Sequence, residues 1–151
     1  MLSGCLTRLD RRGNDHGLAY QPHPFQTVTC GSYNNPNIGC NEMVEDGMAA
    51  YSLALMWYFT EDARYAANAI RILDAWTGKY RSNTESNARL VVSWAVPWHV
   101  NAAELLRHPP PGRALPLSLL TLGSIAPAVS QFRRRGASYT QRHRAALADV
   151  A

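Results

Sequence analysis

The sequence predicts an all-α fold made of antiparallel helix hairpins. Two successive segments, 42–59 and 63–77, carry apolar residues at spacings of three and four, which is the period of a helix buried on one side. A turn of only a few residues, Thr60-Glu61-Asp62, separates them, so the two helices should pack antiparallel as a helical hairpin. No segment shows a convincing strand pattern.

The first predicted helix covers about residues 42–59 and has one apolar face. The apolar stripe consists of Val44, Met48, Tyr51, Leu55 and Tyr58. Asn41 is the expected N-cap, and Glu42 and Glu45 favour the positive end of the helix.

The second and third predicted helices follow the same period. The stripe of the second is Tyr65, Ala69, Ile72, Leu73 and Trp76, and Gly78 is placed to end it. The third covers part of 90–107, where Pro97 is expected in the first turn of the portion that follows it. Trp57 and Trp76 lie on helix stripes and are expected in the core.

Composition divides the chain into three segments. Residues 1–29 are predicted to be irregular, 30–108 form a helical domain, and 109–151 form a basic tail rich in Pro, Arg and Ala. The tail has six arginines and one acid, whereas residues 1–108 have nine Lys and Arg against ten Asp and Glu. The tail is either disordered or translated out of frame, and its abrupt loss of Asn, Lys, Glu and Trp favours the second interpretation.

Several classes of protein are not indicated. The net charge of +4 arises in the tail, so a nucleic-acid-binding domain is not predicted. No segment approaches the ~20 apolar residues of a membrane span, and the N-terminus does not resemble a secretory signal. The three cysteines lack metal-ligand spacing and the histidines are scattered, so no metal is expected.

The cysteines Cys30 and Cys40 enclose a polar loop with many turn-forming residues. They either form a disulfide or remain as two thiols, and the disulfide is favoured because the loop is otherwise difficult to order. Within the loop, the amides of Asn34, Asn35 and Asn37 suit sugar hydroxyls or a carboxylate, but they equally suit turns and helix caps.

A second candidate cluster combines Trp94, Trp98, His99 and Asn101. Aromatic faces suit stacking on sugars, and histidine is a usable base near neutral pH. The alternative is that the two tryptophans are core and His99 is an ordinary polar edge at a helix start; core is favoured for Trp94. His23 is expected to be exposed between two prolines.

Several stretches resemble the alginate lyase family of secreted polysaccharide lyases. They are 33–42 (YNNPNIGCNE), 46–51, 54–60, 65–76 and 101–107, and they lie in order within roughly residues 16–108. The resemblance implies an α/α toroid, built from helical hairpins around a substrate cleft, of which this chain would hold an incomplete part.

The resemblance also implies β-elimination of a uronic-acid polysaccharide such as alginate, with no cofactor. One group neutralises the C6 carboxylate, a base removes the C5 proton, and an acid protonates the departing O4. We therefore predict His99 and Tyr33 as catalytic candidates. The substrate-binding candidates are Asn34, Asn35, Asn37, Trp98, Asn101 and His23.

The sequence departs from the family in its second half. Family members continue with an Asn-rich segment similar to NGNWELSM and a later segment containing His and Tyr, which hold the catalytic groups, and neither occurs here. The expected function is a lyase-like fragment; the alternatives are a non-catalytic glycan-binding module and an inactive remnant.

The expected partner is a uronate-containing polysaccharide, without nucleic acid or membrane. The resemblance places the protein outside the cell or in the periplasm. An incomplete toroid would expose apolar surface, so self-association is also expected.

Overall fold

Three helices and a small sheet make up the fold of the described residues. The computed structural model describes residues 17–109 and 112, so the predictions for most of residues 1–29 and 109–151 lie outside the described residues. The elements follow in the order β1 (Thr27–Cys30), a 3₁₀ turn (Ser32–Asn34), β2 (Asn37–Ile38), α1 (Cys40–Thr60), α2 (Ala63–Lys79), β3 (Ser82–Thr84) and α3 (Ala88–Arg107).

Helices α1 and α2 form the predicted antiparallel hairpin. Glu61 ends α1 in a left-handed conformation with φ of 61°. Asp62 caps α2, because its carboxylate accepts a hydrogen bond from the backbone N–H of Arg64. The reversal of direction brings Trp76, near the end of α2, to Asp46, near the start of α1.

Helix α3 packs against the other flank of α1 and runs in the same direction. Near the start of α1, a Cβ added to Gly47 would lie 2.6 Å from Nδ1 of His99. Further along, Tyr58 of α1 and Leu105 of α3 line one groove. The residue numbers of contacting positions therefore increase in the same direction along both helices. Because α2 and α3 pack on different flanks of α1, α1 is the central helix of the three.

The prediction that no strand forms is wrong. Strand β1 lies at the centre of a three-stranded sheet, antiparallel to β2 and parallel to β3. Thr29 lies opposite Ile38 on one side and opposite Thr84 on the other. The strands contain only two to four residues, so they are too short to show an alternating pattern in the sequence.

The sheet connects the first turns of α1 and α3. A disulfide joins Cys30 of β1 to Cys40, the first residue of α1. The backbone N–H of Asn87, immediately before α3, donates to the carbonyl of Cys30 at 2.9 Å. Both helices therefore begin beside the same residue of β1.

The core lies between the three helices and β1. Its fully buried apolar side chains include Val28, Met43, Leu53, Ile72, Leu73, Trp76 and Leu106. Alanines of all three helices fill the remaining contacts, which permits close approach of the backbones. Trp57 and Trp76 are both buried, as the sequence predicts.

Helix α1 differs from its prediction in two respects. It begins at Cys40, after Gly39 with φ of 78°, so Asn41 lies inside the helix and is not the N-cap. The predicted core stripe, from Val44 to Tyr58, is only half-buried. The fully buried face of α1 instead contains small residues such as Gly47 and Ala50.

Helices α2 and α3 also extend beyond the expected breaks. Helix α2 continues through Gly78 to Lys79. Helix α3 is continuous through Pro97, which does not begin a new helical portion. Pro97 and the residue four positions before it, Ser93, are both exposed, so water can satisfy the carbonyl that the proline leaves without a donor.

We predict that Gly47→Ala destabilises the protein by about 1–3 kcal/mol, because the new methyl group would overlap the ring of His99. Gly78→Ala is the matched control, since a Cβ there meets nothing within 4 Å and alanine raises helix propensity by ~1 kcal/mol. Chemical denaturation measures both changes. Equal stability of the two variants would contradict the close approach of α1 and α3.

Candidate functional site

A buried carboxylate, that of Asp46, links α1, α2 and the segment before β1. Asp46 is 0% exposed. Its Oδ1 accepts from the hydroxyl of Tyr20 at 2.6 Å, and its Oδ2 accepts from the backbone N–H of His23 at 2.7 Å and from Nε1 of Trp76 at 2.5 Å. Three donors satisfy a charge that would otherwise be very unfavourable in the core.

Residues 17–26 are held to the helices by this carboxylate and by Arg71 of α2. The Arg71 guanidinium donates to the carbonyl oxygen of Tyr20, to Oε1 of Gln21 and to Oδ1 of Asn68. The segment is therefore anchored across the hairpin although it contains no regular secondary structure. His23 itself is exposed, and only its backbone N–H contacts the buried cluster.

His99 belongs to this buried cluster, which corrects its expected place at a helix edge. Its ring is 0% exposed and packs edge-on against Trp76, with ring centroids 5.8 Å apart. Nδ1 donates to the carbonyl oxygen of Ala95 at 3.0 Å. Burial lowers the pKa of His99, whereas the Ala95 carbonyl and the charge of Asp46 act in the opposite direction.

A surface groove runs between α1 and α3, which we call the α1/α3 groove. It is lined by Tyr51, Tyr58, Asn101, Glu104, Leu105 and His108, and its volume is about 550 Å³. At one end, Trp98 of α3 packs against Tyr51 with ring centroids 5.4 Å apart. At the other end, Nε2 of His108 lies 3.3 Å from Oε2 of Glu104.

One face of α3 supplies most of this surface. Trp94, Trp98, Asn101, Leu105 and His108 follow one another at spacings of four, three, four and three, so they form a single stripe. Trp94 is 57% exposed, so the expectation that it lies in the core is wrong. It lies on a different face of the helix from the buried stripe, which contains Ala95 and Ala102.

The loop between the two cysteines presents polar groups to solvent. Tyr33 is fully exposed, and Asn34 and Asn35 are exposed beside it. Tyr33 and Asn34 both have left-handed backbone conformations, with φ of 55° and 58°. For tyrosine this conformation costs roughly 1–2 kcal/mol. Residues with such backbone strain are concentrated at active sites and ligand-binding sites.

Close packing fixes the base of this loop. A Cβ on Gly31 would meet the carbonyl oxygen of Asn35 at 2.0 Å, so only glycine fits there. The side chain of Asn87 donates to the carbonyl of Gly31 at 3.0 Å, and the hydroxyls of Ser32 and Ser86 lie 2.8 Å apart. The loop is thus attached to the start of α3.

The structure brings some predicted site residues together and separates others. Trp98 and Asn101 share the α3 stripe, and Tyr33, Asn34, Asn35 and Asn37 share the loop. Trp94 lies seven residues beyond Asn87, which corresponds to roughly 10 Å along the helix from the base of the loop. His99 faces the core, and His23 lies on the segment before β1, so neither is on the α3 stripe.

The sequence interpretation missed five residues of the groove and the structural role of Asp46. The groove residues are Tyr51, Tyr58, Glu104, Leu105 and His108. Leu105 and His108 continue the α3 stripe that contains Trp98 and Asn101, so their helical spacing was the signal that could have found them. The role of Asp46 could not be predicted, because a sequence does not reveal three donors from distant positions.

Among residues 17–109, no group of three or more His, Cys, Asp or Glu side chains could hold a metal ion. In the same part of the chain, no helix is both long enough and apolar enough to cross a membrane.

The fold and the groove define a domain in which a third helix packs parallel to the first helix of a hairpin and forms an aromatic surface groove with it. The family model described as alginate lyase matches residues 30–149, which is more than three quarters of the 151 residues. The chain therefore belongs to the alginate lyase family, as the resemblance predicts. No curated protein and no solved structure matches the chain significantly.

The matched range differs from the range of the resemblance. It begins at Cys30 and not near His16, and it continues past His108 through most of the basic tail. The family match thus includes residues whose composition suggested a foreign reading frame. That interpretation stays a prediction about the coding DNA.

We expect Trp76→Phe to destabilise the protein by about 1–3 kcal/mol, because it removes one of the three donors to the buried Asp46 carboxylate. The same substitution at the exposed Trp94 is the control and should change the unfolding free energy by less than about 0.5 kcal/mol. Urea denaturation compares the two. A Trp76→Phe variant as stable as Trp94→Phe would show that the indole N–H contributes nothing.

The stability of the protein should fall as the pH decreases below about 6.5. Burial lowers the pKa of His99 in the folded state, so the unfolded chain binds a proton there first. The stabilisation is complete above the unfolded value of 6.5 and is lost at up to about 1.4 kcal/mol per pH unit below it.

Thermal melts across this pH range test the expectation for His99. His108→Gln is the control, because that ring is on the surface and its removal should leave the pH profile unchanged. A wild-type profile that is flat below pH 6.5, or one that His108→Gln abolishes, would contradict it.

Proposed function

We propose that the chain is part of a polysaccharide lyase that cleaves a uronate-containing polymer by β-elimination. Membership of the alginate lyase family supports this reaction class. The observation that carries the proposal is the α1/α3 groove, where Tyr51 and Trp98 form an aromatic wall beside the exposed amide of Asn101. Aromatic faces bind the C–H faces of sugars, and amides bind their hydroxyls.

The arrangement of the helices supports a role within an α/α toroid. In such an assembly successive helices alternate in direction, so every second helix is parallel. Helices α1 and α3 are parallel and in contact. Helix α2, which lies between them in the sequence, runs in the opposite direction and packs on the side of α1 away from α3. The α1/α3 groove would then face the space enclosed by the toroid.

The chemistry is assigned to the loop. The exposed Tyr33 phenol is the candidate for proton transfer, and the exposed amides of Asn34 and Asn35 are candidates for holding the C6 carboxylate. Asn37 is half-buried and supports the loop. His99 is left out of this assignment, because its buried ring would have to leave the core to reach a substrate.

A non-catalytic glycan-binding module is the second candidate. It is favoured by one observation: Tyr33 lies on the loop attached to the start of α3, whereas the α1/α3 groove lies toward the end of that helix. Such a module would bind the polymer and release no unsaturated product.

The proposed location is extracellular or periplasmic. The disulfide between Cys30 and Cys40 supports an oxidising compartment, and the alginate lyase family is typically extracellular. Self-association is proposed through large exposed apolar side chains, which include Ile38, Phe59, Leu90 and Trp94.

The test incubates the full chain with polymannuronate, polyguluronate and glucuronan and follows the ultraviolet absorbance of the C4–C5 double bond. We expect a rise with at least one polymer, and we expect Tyr33→Phe to lower kcat by about 10²–10⁴-fold because the phenol can no longer transfer a proton. Tyr65→Phe on α2 is the matched control and should retain the wild-type rate.

A flat trace with folded wild-type protein would refute the lyase proposal for this chain. Polymer binding measured in the same sample would then establish the glycan-binding module. A Tyr33→Phe variant with the wild-type rate would show that a residue other than Tyr33 transfers the proton.

A further inference from the structure

We infer that Asn87, at the start of α3, is a positioning residue, whose side chain holds the loop between the two cysteines so that the Tyr33 phenol is presented to the polymer. The inference rests on the proposed function for the reaction that Tyr33 performs. Asn87 acts through the backbone of the loop and is assigned no contact with the polymer.

The side chain of Asn87 is used for the loop and not for the helix that it precedes. Asn87 is the N-cap residue of α3, a position where asparagine is favoured because its side chain accepts from the first backbone N–H groups of the helix. Here the side chain makes no capping hydrogen bond. Its Nδ2 donates to the carbonyl oxygen of Gly31 at 3.0 Å. A residue that gives up a local stabilising role in this way is typical of a functional site.

The backbone of Asn87 adds a second bond to the same part of the loop. Its N–H donates to the carbonyl of Cys30 at 2.9 Å, so one residue binds two successive carbonyl groups. The hydroxyls of Ser32 and Ser86 lie 2.8 Å apart beside them. These contacts extend the parallel pairing of β1 and β3 into the loop. Two donors at fixed separation define both the distance and the orientation of the loop base relative to α3.

The loop is closed by its own hydrogen bonds above this base. The N–H of Gly31 donates to the carbonyl of Pro36 at 2.8 Å, and the N–H of Asn35 donates to the carbonyl of Ser32 at 3.1 Å. Tyr33 lies between these bonds in its left-handed conformation, which persists only where the surrounding structure determines it. A change of orientation at Gly31 is therefore transmitted to Tyr33.

The position of the Tyr33 phenol depends on this backbone. The side chain is fully exposed, so packing of the ring does not fix it. A displacement of about 1 Å of a reacting group can lower a rate by about 100-fold. Polymer binding should depend less on Asn87, because Asn101 of the groove lies roughly 21 Å further along α3. The expected effect is therefore on kcat and not on KM.

The experiment uses Asn87→Asp in the full chain, acting on the polymer that the wild type cleaves. Aspartate keeps the shape of the side chain but cannot donate to the Gly31 carbonyl. We expect kcat to fall by about 10- to 100-fold, while KM changes by less than about twofold. Asn87→Ala should give the same fall in kcat, without a new charge that could repel a polyuronate.

Urea denaturation separates positioning from a merely structural role. A carboxylate at the start of α3 interacts favourably with the helix dipole, so the urea midpoint of Asn87→Asp should be close to that of the wild type. A structural role would instead lower this midpoint and leave the kcat of the folded protein unchanged.

Asn68 of α2 provides the matched control. It is also half-buried, and its Nδ2 also donates to a backbone carbonyl at 3.0 Å, that of Arg64. Asn68→Asp and Asn68→Ala therefore remove the same kind of hydrogen bond far from the loop. Both variants should retain the wild-type kcat and KM.

Hydrogen exchange measures the loop without any substrate. The amides of Gly31 and Asn35 should exchange about tenfold faster in Asn87→Asp and Asn87→Ala, the effect of one lost hydrogen bond. The Asn68 variants should leave these rates unchanged.

Wild-type exchange rates of the loop amides in both Asn87 variants would overturn the inference, whatever the activity. A wild-type kcat in both variants, or a lower urea midpoint without a fall in kcat, would also overturn it. Failure of the lyase proposal has a different signature. In that case the wild type forms no unsaturated product, while the loop amides of the Asn87 variants still exchange faster.

Discussion

The described structure depends on the burial of one charge. The carboxylate of Asp46 is stable in the core only because three donors converge on it from the segment before β1 and from α2, and loss of any partner leaves part of the charge unsatisfied. The same contacts fix the rotation of α1 about its axis. That rotation turns Gly47 toward α3, so that the ring of His99 can occupy the space a side chain would fill. The hairpin and the parallel pair of helices are therefore coupled through neighbouring positions of one helix.

A second constraint acts at the start of the helices. The short sheet carries few hydrogen bonds, but its central strand is joined to α1 by the disulfide and to α3 by Asn87. This connection fixes the positions of α1 and α3 relative to each other along their axes, although the two helices are far apart in sequence. The stripe on α3 then lies level with the half-buried stripe on α1, and the groove forms between them. The loop depends on the same connection, because its base is closed by Gly31 and by the side chain of Asn87.

The sequence predicted the parts of the fold that repeat a helical period and missed those that depend on distant partners. The hairpin followed from apolar spacing and from the short turn Thr60-Glu61-Asp62, which are local features. The apolar stripe of α1 predicted a helix correctly but not its core face, because alanine and glycine give weak hydrophobic signals and still pack best between close helices. His99 was expected at a polar edge and is buried, whereas Trp94 was expected in the core and is exposed. Both stripes of α3 contain aromatic or histidine residues, so the sequence alone does not reveal which stripe packs against α1. The strands were missed because parallel pairing of β1 with β3 spans more than fifty residues of intervening chain.

The parallel direction of α1 and α3 has an electrical consequence. A helix carries roughly half a positive charge at its N-terminus and half a negative charge at its C-terminus. Both N-termini lie beside Cys30, next to the loop that presents Tyr33, and the two opposite ends lie toward Glu104 and His108. The two dipoles add, whereas those of an antiparallel pair would cancel. The two dipoles therefore contribute a potential that is positive at the loop and negative at the far end of the groove, and the Glu42 carboxylate in the first turn of α1 interacts favourably with the positive end.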